Sequence, residues 1–350
     1  MRKLILKLCF FVLPFFIIYF ININFYIQKE GDLVRLGYFY KDALPKSKLD
    51  ENFSDKIKYK LVSKINLKKK EKYDIFVIGD SFSNQNNRGY VNFLAERGLS
   101  VLYMDKFISD KENRNPIQKL IELINSDFFD YVQPKYIILQ SVGRVLVQRF
   151  KNIDLEKSLT MNDLQSVINN YKVMSIEKKI GFFSNAIYKI PVCNIQYKLG
   201  FSKPTFSQTY KVELSQNNLF SLGISEFLFL DEELTSIKLK NNKSMIDSSN
   251  YILNIINSKL SEKNIQLIFL GAPDKYDLYY SYIKNKNNFE QPILFEYFSS
   301  LEKQYIYVDA YNILKERLND TKDIYYYDDT HWSPIGAKLI ADEIQNKINN

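Results

Sequence analysis

His331 is the only histidine in this 350-residue chain, so a serine–histidine mechanism has a single candidate base. Its surroundings read Tyr327-Asp328-Asp329-Thr330-His331-Trp332-Ser333-Pro334. Either Asp329 or Asp328 can accept a hydrogen bond from one imidazole nitrogen, fixing the tautomer and stabilising the imidazolium. The matching nucleophile is Ser81, in Gly79-Asp80-Ser81-Phe82-Ser83. A serine hydroxyl becomes competent for acyl transfer when a base takes its proton and a third group orients that base. A lone histidine and a lone Gly-Asp-Ser turn each have ordinary structural explanations. The pair is more telling, because one ends the first apolar strand and the other precedes the last helix. The two cysteines, Cys9 and Cys193, have no metal-ligand spacing and imply no disulfide framework. Neither a metal nor another cofactor is expected.

The elements that must carry these residues are legible as alternating short strands and helices. Residues 73–79 form an apolar, β-rich run that ends in Gly-Asp-Ser, the pattern of a buried strand delivering a turn. A helix is predicted over 90–97, a second strand over 99–104, a helix over 116–124 and a third strand over 136–140. Further on come a helix over 248–260, a fourth strand over 265–270 closed by Gly271-Ala272-Pro273, a fifth over 306–309 and an amphipathic helix over 334–348. This rhythm predicts a doubly wound parallel α/β sheet, whose sites form at the carboxyl ends of strands. Gly79, Asp80, Ser81, Gln140, Ser141, Ala272 and Pro273 all fall at such ends. Residues 146–243 break the rhythm and read as an inserted cap, with short extended segments at 210–214 and 226–230.

Residues 1–28 carry an apolar stretch from Leu8 to Ile27, preceded by Arg2, Lys3 and Lys7. About 20 such residues cross the hydrocarbon core as a helix, and the basic flank keeps the N-terminus cytoplasmic. No small-residue cleavage site follows it, which favours an uncleaved single-pass anchor in the cytoplasmic (inner) membrane over a cleaved signal peptide. The remaining chain is then extracytoplasmic, on the periplasmic side. Residues 29–72 are polar and lysine-rich and read as a juxtamembrane linker; 73–347 is the expected catalytic domain. The formal net charge of +8 is dispersed apart from Lys56, Lys58, Lys60, Lys64, Lys68, Lys69, Lys70 and Lys72. That run reads as a solvated face, and the expected location argues against nucleic acid as a partner.

The Gly-Asp-Ser-Phe-Ser string at 79–83, with Asp-Thr-His-Trp-Ser-Pro at 329–334, resembles the SGNH/GDSL hydrolase superfamily. The Thr-His-Trp variant followed by Pro334-Ile335-Gly336-Ala337 is closer to its alginate O-acetyltransferase-like branch. Weaker echoes are Gln140-Ser141-Val142-Gly143-Arg144 and Ala272-Pro273-Asp274-Lys275. The resemblance implies a flavodoxin-like three-layer α/β/α fold and a Ser81–His331–Asp triad. The superfamily pattern places the aspartate at Asp328 and the acetyltransferase-like pattern at Asp329, which the Thr-His-Trp context favours. The backbone N–H of Ser81 is an expected oxyanion donor. The block glycine and Gly-x-Asn-Asp motif have no clear counterpart, leaving Gln140, Ser141 or Arg144 to complete the hole. Lys275 either lines the cleft or is a solvated loop lysine; Trp332 either stacks on a sugar or packs beside His331.

Members of this branch carry acyl groups onto cell-surface polysaccharides beside a membrane-bound O-acyltransferase. The resemblance therefore implies an acylated donor, a polysaccharide acceptor and such a membrane partner. Three functions follow: an O-acyltransferase with acetyl as the expected group, which the anchor and the Thr-His-Trp variant favour; a carbohydrate esterase or deacetylase using water; and a non-catalytic polysaccharide-binding assembly component that keeps the fold.

Overall fold

Apolar runs of seven or so residues can leave solvent on both faces only inside a layered sheet. That is where the structure, a computed structural model describing residues 2–26, 31–39, 49–50, 53, 56–66, 69–105, 115–173 and 186–349, puts them. Its strands are β1 (Lys60–Leu61), β2 (Glu71–Ile78), β3 (Val101–Met104), β4 (Val132–Val142), β5 (Thr209–Glu213), β6 (Glu226–Leu230), β7 (Gln266–Ala272) and β8 (Ile306–Val308). Six of them form one parallel sheet in the order β1-β3-β2-β4-β7-β8. Ile75, Phe76, Val77, Ile137, Ile138, Leu139 and the run Leu267, Ile268, Phe269, Leu270 are fully buried.

With the two-residue edge strand β1 set aside, the order β3-β2-β4-β7-β8 is the flavodoxin-like doubly wound one. The direction of winding reverses between β2 and β4. Right-handed crossovers then divide the helices between two faces. Tyr90–Glu96, Ala310–Arg317 and Pro334–Asn349 pack together on one; Pro116–Ile124, Gly143–Phe150, Lys243–Ser261 and Leu294–Ser300 pack together on the other. The helix starts are coded locally. Asn115 accepts from Ile117 N–H at 3.1 Å with Pro116 in the first turn, and Asn242 accepts from Met245 N–H at 3.2 Å. Each such cap is worth about 1 kcal/mol.

The expected elements recur with shifted ends; β4 is much longer than the strand expected over 136–140. Within the expected insertion, β5 and β6 form a separate antiparallel pair. The helix Gly143–Phe150 runs through the expected boundary at 146, with Leu146, Val147 and Phe150 buried on the core.

The described residues of 29–72 pack on the domain, where a spacer was expected. Leu33, Val34, Tyr59 and Val62 are buried, and β1 pairs with β3. Its apolar residues alternate with lysines, so one face packs while Lys56, Lys58, Lys60, Lys64, Lys69, Lys70 and Lys72 stay exposed; Lys68 lies outside the described residues. The N-terminal helix Arg2–Tyr26 is exposed along Arg2–Phe20, a stretch long and apolar enough to cross a membrane, as anchors and signal sequences both are.

Candidate active site

Ser81 sits just beyond the carboxyl end of β2, at the point where the winding reverses. The turn that presents it has no spare room. A Cβ on Gly79 would stand 2.4 Å from Ser83 Oγ and 2.6 Å from Gln140 Oε1. Gln140 Oε1 accepts from Asp80 N–H at 3.0 Å and from Ser83 Oγ at 2.9 Å. Asp80 is the hub: Oδ1 accepts from Phe82 N–H at 3.0 Å, and Oδ2 from Val142 N–H at 2.8 Å and Arg149 Nη1 at 2.6 Å. The same Arg149 nitrogen donates to Ser141 Oγ at 2.7 Å. Burial alone would raise the Asp80 carboxyl, but the Arg149 guanidinium and the backbone donors outweigh it and hold the group below its ordinary range. Gln140 and Ser141, expected near the oxyanion, thus brace the nucleophile turn from the neighbouring strand.

His331 arrives from the other end of the chain on a tight loop. Tyr326 N–H donates to His331 O at 3.2 Å and Ser333 N–H to Ile324 O at 2.9 Å. The final helix starts so close that a Cβ on Gly336 would lie 2.5 Å from Ile324 O. Of the two candidate aspartates, Asp329 reaches the imidazole. Its Oδ1 is 2.5 Å from His331 Nδ1 and also accepts from His331 N–H at 3.0 Å. With Nδ1–H donating to that carboxylate, Nε2 is left as the basic nitrogen. Nε2 is buried and has no hydrogen-bond partner among the described residues. His331 and Ser81 line the same cavity of about 200 Å³, with Asn84, Arg88 and Tyr326 around them. Asp50 ties that wall together, meeting Arg88 at 2.9 Å and the Tyr326 hydroxyl at 2.5 Å. Phe82 packs on the imidazole with centroids 4.7 Å apart. A larger cleft of about 740 Å³ opens beyond Arg149, between Lys119 and Glu232, but neither Ser81 nor His331 faces it.

A third part of the chain closes on the aspartates. Gly31 N–H donates to Asp328 Oδ2 at 3.2 Å and Leu33 N–H to Asp328 O at 3.1 Å. Both Asp32 oxygens accept from Thr330, one from N–H and one from Oγ1, each at 2.7 Å. Asp328 therefore holds the incoming segment while Asp329 holds the histidine. Ligand-capable atoms of Asp32, Asp329 and His331 come within 4.8 Å of one another, a grouping that these hydrogen bonds account for.

Three expected site residues lie elsewhere. Lys275 is fully buried, neither solvated nor lining the cavity, and donates to the carbonyls of Tyr326 and Tyr327 at 2.8 and 2.9 Å. Burial draws its ammonium down to about 8. It tethers the loop that carries His331. Arg144 donates to Asp274 at 2.7 Å and Glu232 at 3.2 Å, in a buried charge cluster that also pairs Lys240 with Asp277. That cluster joins the 231–240 segment to the end of β7, away from Ser81. Trp332 is buried edge-on to Phe82 at 4.9 Å, and its Nε1 donates to Gln85 at 2.6 Å, so it packs instead of facing a sugar.

Sequence reasoning missed Asp32, Asp50, Asn84, Arg88 and Tyr326. The nearest signal was the dipeptide Gly31-Asp32 in a stretch otherwise rich in lysine. With this geometry in place, the comparison with known proteins is direct. Residues 221–350 match the family model of the SGNH hydrolase-like domain, acetyltransferase AlgX. That stretch carries β6, β7, β8, Asp329, His331 and the last helix; Ser81 lies outside it. No curated protein and no solved structure matches the chain.

Proposed function

We propose, from the match of residues 221–350 to the SGNH hydrolase-like family model, that this protein is a serine-dependent O-acyltransferase acting on a polysaccharide outside the cytoplasm. One observation carries the reading: Ser81 and His331 line one cavity, while Asp329 occupies Nδ1 and leaves Nε2 without a hydrogen-bond partner among the described residues.

In this scheme Ser81 Oγ attacks the carbonyl carbon of an acyl donor and passes its proton to His331 Nε2. Asp329 stabilises the imidazolium. The donor's C–O bond then breaks, its oxygen takes the proton from Nε2, and the acyl group remains on Ser81. An acceptor hydroxyl enters, gives its proton to Nε2 and forms the new ester bond as the bond to Ser81 Oγ breaks; the proton returns to Ser81. Oxyanion donors in such sites contribute about 3 kcal/mol each. The backbone N–H of Ser81, which donates to nothing among the described residues, and the cavity-lining amide of Asn84 are the groups proposed here. Among the described residues neither Ser81 Oγ nor Nε2 has a hydrogen bond, in keeping with catalytic contacts that tighten only around substrate.

The N-terminal helix supports anchorage in the cytoplasmic membrane with the domain on the periplasmic side, beside a membrane-bound O-acyltransferase that supplies the acyl group. The test is turnover of p-nitrophenyl acetate with and without oligosaccharide acceptors. Acetylated oligosaccharide that vanishes in Ser81→Ala supports transfer. Release of acetate alone, with acceptors present, identifies a hydrolase instead.

A further inference from the structure

Outside the N-terminal helix, only seven large apolar side chains among the described residues stay exposed, and five of them fall between 192 and 206. Val192, Ile195 and Leu199 recur at helical spacing on one side of the helix Ala186–Lys198 and its end. Leu199 is 71% exposed and Ile195 58%. Gly200, at φ 87°, reverses the chain there, with Phe201 N–H donating to Gln196 O at 3.0 Å and Gly200 N–H to Tyr197 O at 3.1 Å. This helix stop returns Phe201 toward the helix. Phe206 is held near by as well: Thr205 N–H donates to Gln196 Oε1 at 3.0 Å, and Lys189 Nζ lies 5.9 Å from the Phe206 ring.

The position of this face in the chain is as informative as its composition. The helix Ala186–Lys198 lies beside the N-terminal helix. It is also fastened to the segment that follows that helix: Asn194 donates to Tyr38 O at 2.7 Å, and Tyr197 stacks on Phe39 with centroids 4.3 Å apart. The link from Tyr26 to Gly31 can span no more than about 18 Å. Leu, Ile and Phe flanked by Lys189 and Lys198 are the composition of a surface that enters the headgroup region, with its cations toward anionic lipid.

We propose that Val192, Ile195, Leu199, Phe201 and Phe206 seat this domain on the lipid surface of the membrane that its N-terminal helix crosses. The proposal rests on the anchorage proposed above. The segment 31–39 that carries the seat is the one that grips Asp328 and Thr330, so the bilayer sets the orientation of the candidate site as well as its distance.

The test uses the full chain with Cys9→Ser, reconstituted in vesicles of zwitterionic and anionic phospholipid. Nitroxide labels are placed singly at Ile195→Cys, Phe201→Cys, Leu13→Cys in the N-terminal helix and Tyr251→Cys on the helix Lys243–Ser261; Cys193 is buried. Collision rates with oxygen and with a water-soluble nickel chelate are then compared. Labels at 195 and 201 are expected to favour oxygen, as at 13, while 251 favours the chelate. If 13 is lipid-embedded but 195 and 201 behave like 251, the seat is refuted and the anchor stands. Labels at 195 and 201 shielded from both reagents mean a protein covers the face, which refutes it equally. A label at 13 that meets the chelate removes the anchorage and the seat with it.

Discussion

Asp32 grips Thr330 with both carboxylate oxygens, each at 2.7 Å, although 298 positions separate them in the chain. Thr330 lies between Asp329 and His331, so a residue just beyond the N-terminal helix fixes the backbone from which the proposed base projects. Misplacing a catalytic group by an ångström can cost about a hundredfold in rate. Asp32→Ala is expected to lower kcat for p-nitrophenyl acetate by up to about that factor with little change in KM. Asp32→Asn, which keeps an acceptor for Thr330 N–H, is expected to recover most of the loss.

The two neighbouring aspartates are expected to separate cleanly. Asp329→Asn offers Nδ1 an amide in place of a carboxylate and favours the wrong tautomer, a change that costs on the order of 10⁴-fold in a serine triad. Asp328→Asn is expected to leave kcat within about tenfold, because Asp328 accepts from the 31–34 backbone and not from the imidazole. Parallel kcat values for the two variants check the assignment.

Asp80 makes a prediction about acid. Its carboxyl titrates below the ordinary range in the fold, against an unfolded value near the usual one. The stability from its charge is therefore fully present above the unfolded value and is lost as pH falls through the folded one. Asp80→Asn is expected to be destabilised by about 3 kcal/mol near neutrality, since it strands the guanidinium of Arg149. It should then lose less further stability than the parent between about pH 5 and 3. Urea melts at several pH values check both parts.

Lys275 is expected to matter for the loop and not for substrate. Lys275→Met keeps much of the volume but removes both donors to Tyr326 and Tyr327. Two carbonyls that lose their donor are expected to cost about 3 kcal/mol in stability, read as a lowered melting temperature. At temperatures where the variant is folded, KM should stay near the parent value.

The central strands were legible because their cores, such as 75–78, 101–104, 137–139 and 267–272, are buried on both faces and so read as apolar runs. The meeting of Ser81 and His331 at one cavity was foreshadowed by their places after the first apolar strand and before the last helix, and the contact of Asp329 by its spacing of two residues from the histidine. What escaped depends on partners far along the chain. Lys275 after a strand and beside Asp274 looks solvated, and only the carbonyls of a loop some fifty residues away bury it. Arg144 follows β4, the place expected of an oxyanion group, yet its partner Asp274 comes from the end of β7. The segment 31–39 forms a six-residue helix, Asp32–Gly37, and β1 has two residues; neither is long enough to show a period.

The central claim is that Ser81 carries the acyl group, and the most direct measurement is the mass of the protein after exposure to p-nitrophenyl acetate or a fluorophosphonate. The account expects one adduct, mapped by peptide fragmentation to Ser81, absent in Ser81→Ala and formed more slowly in His331→Ala. A folded protein that takes up neither reagent, or that carries the adduct on another residue, would contradict it.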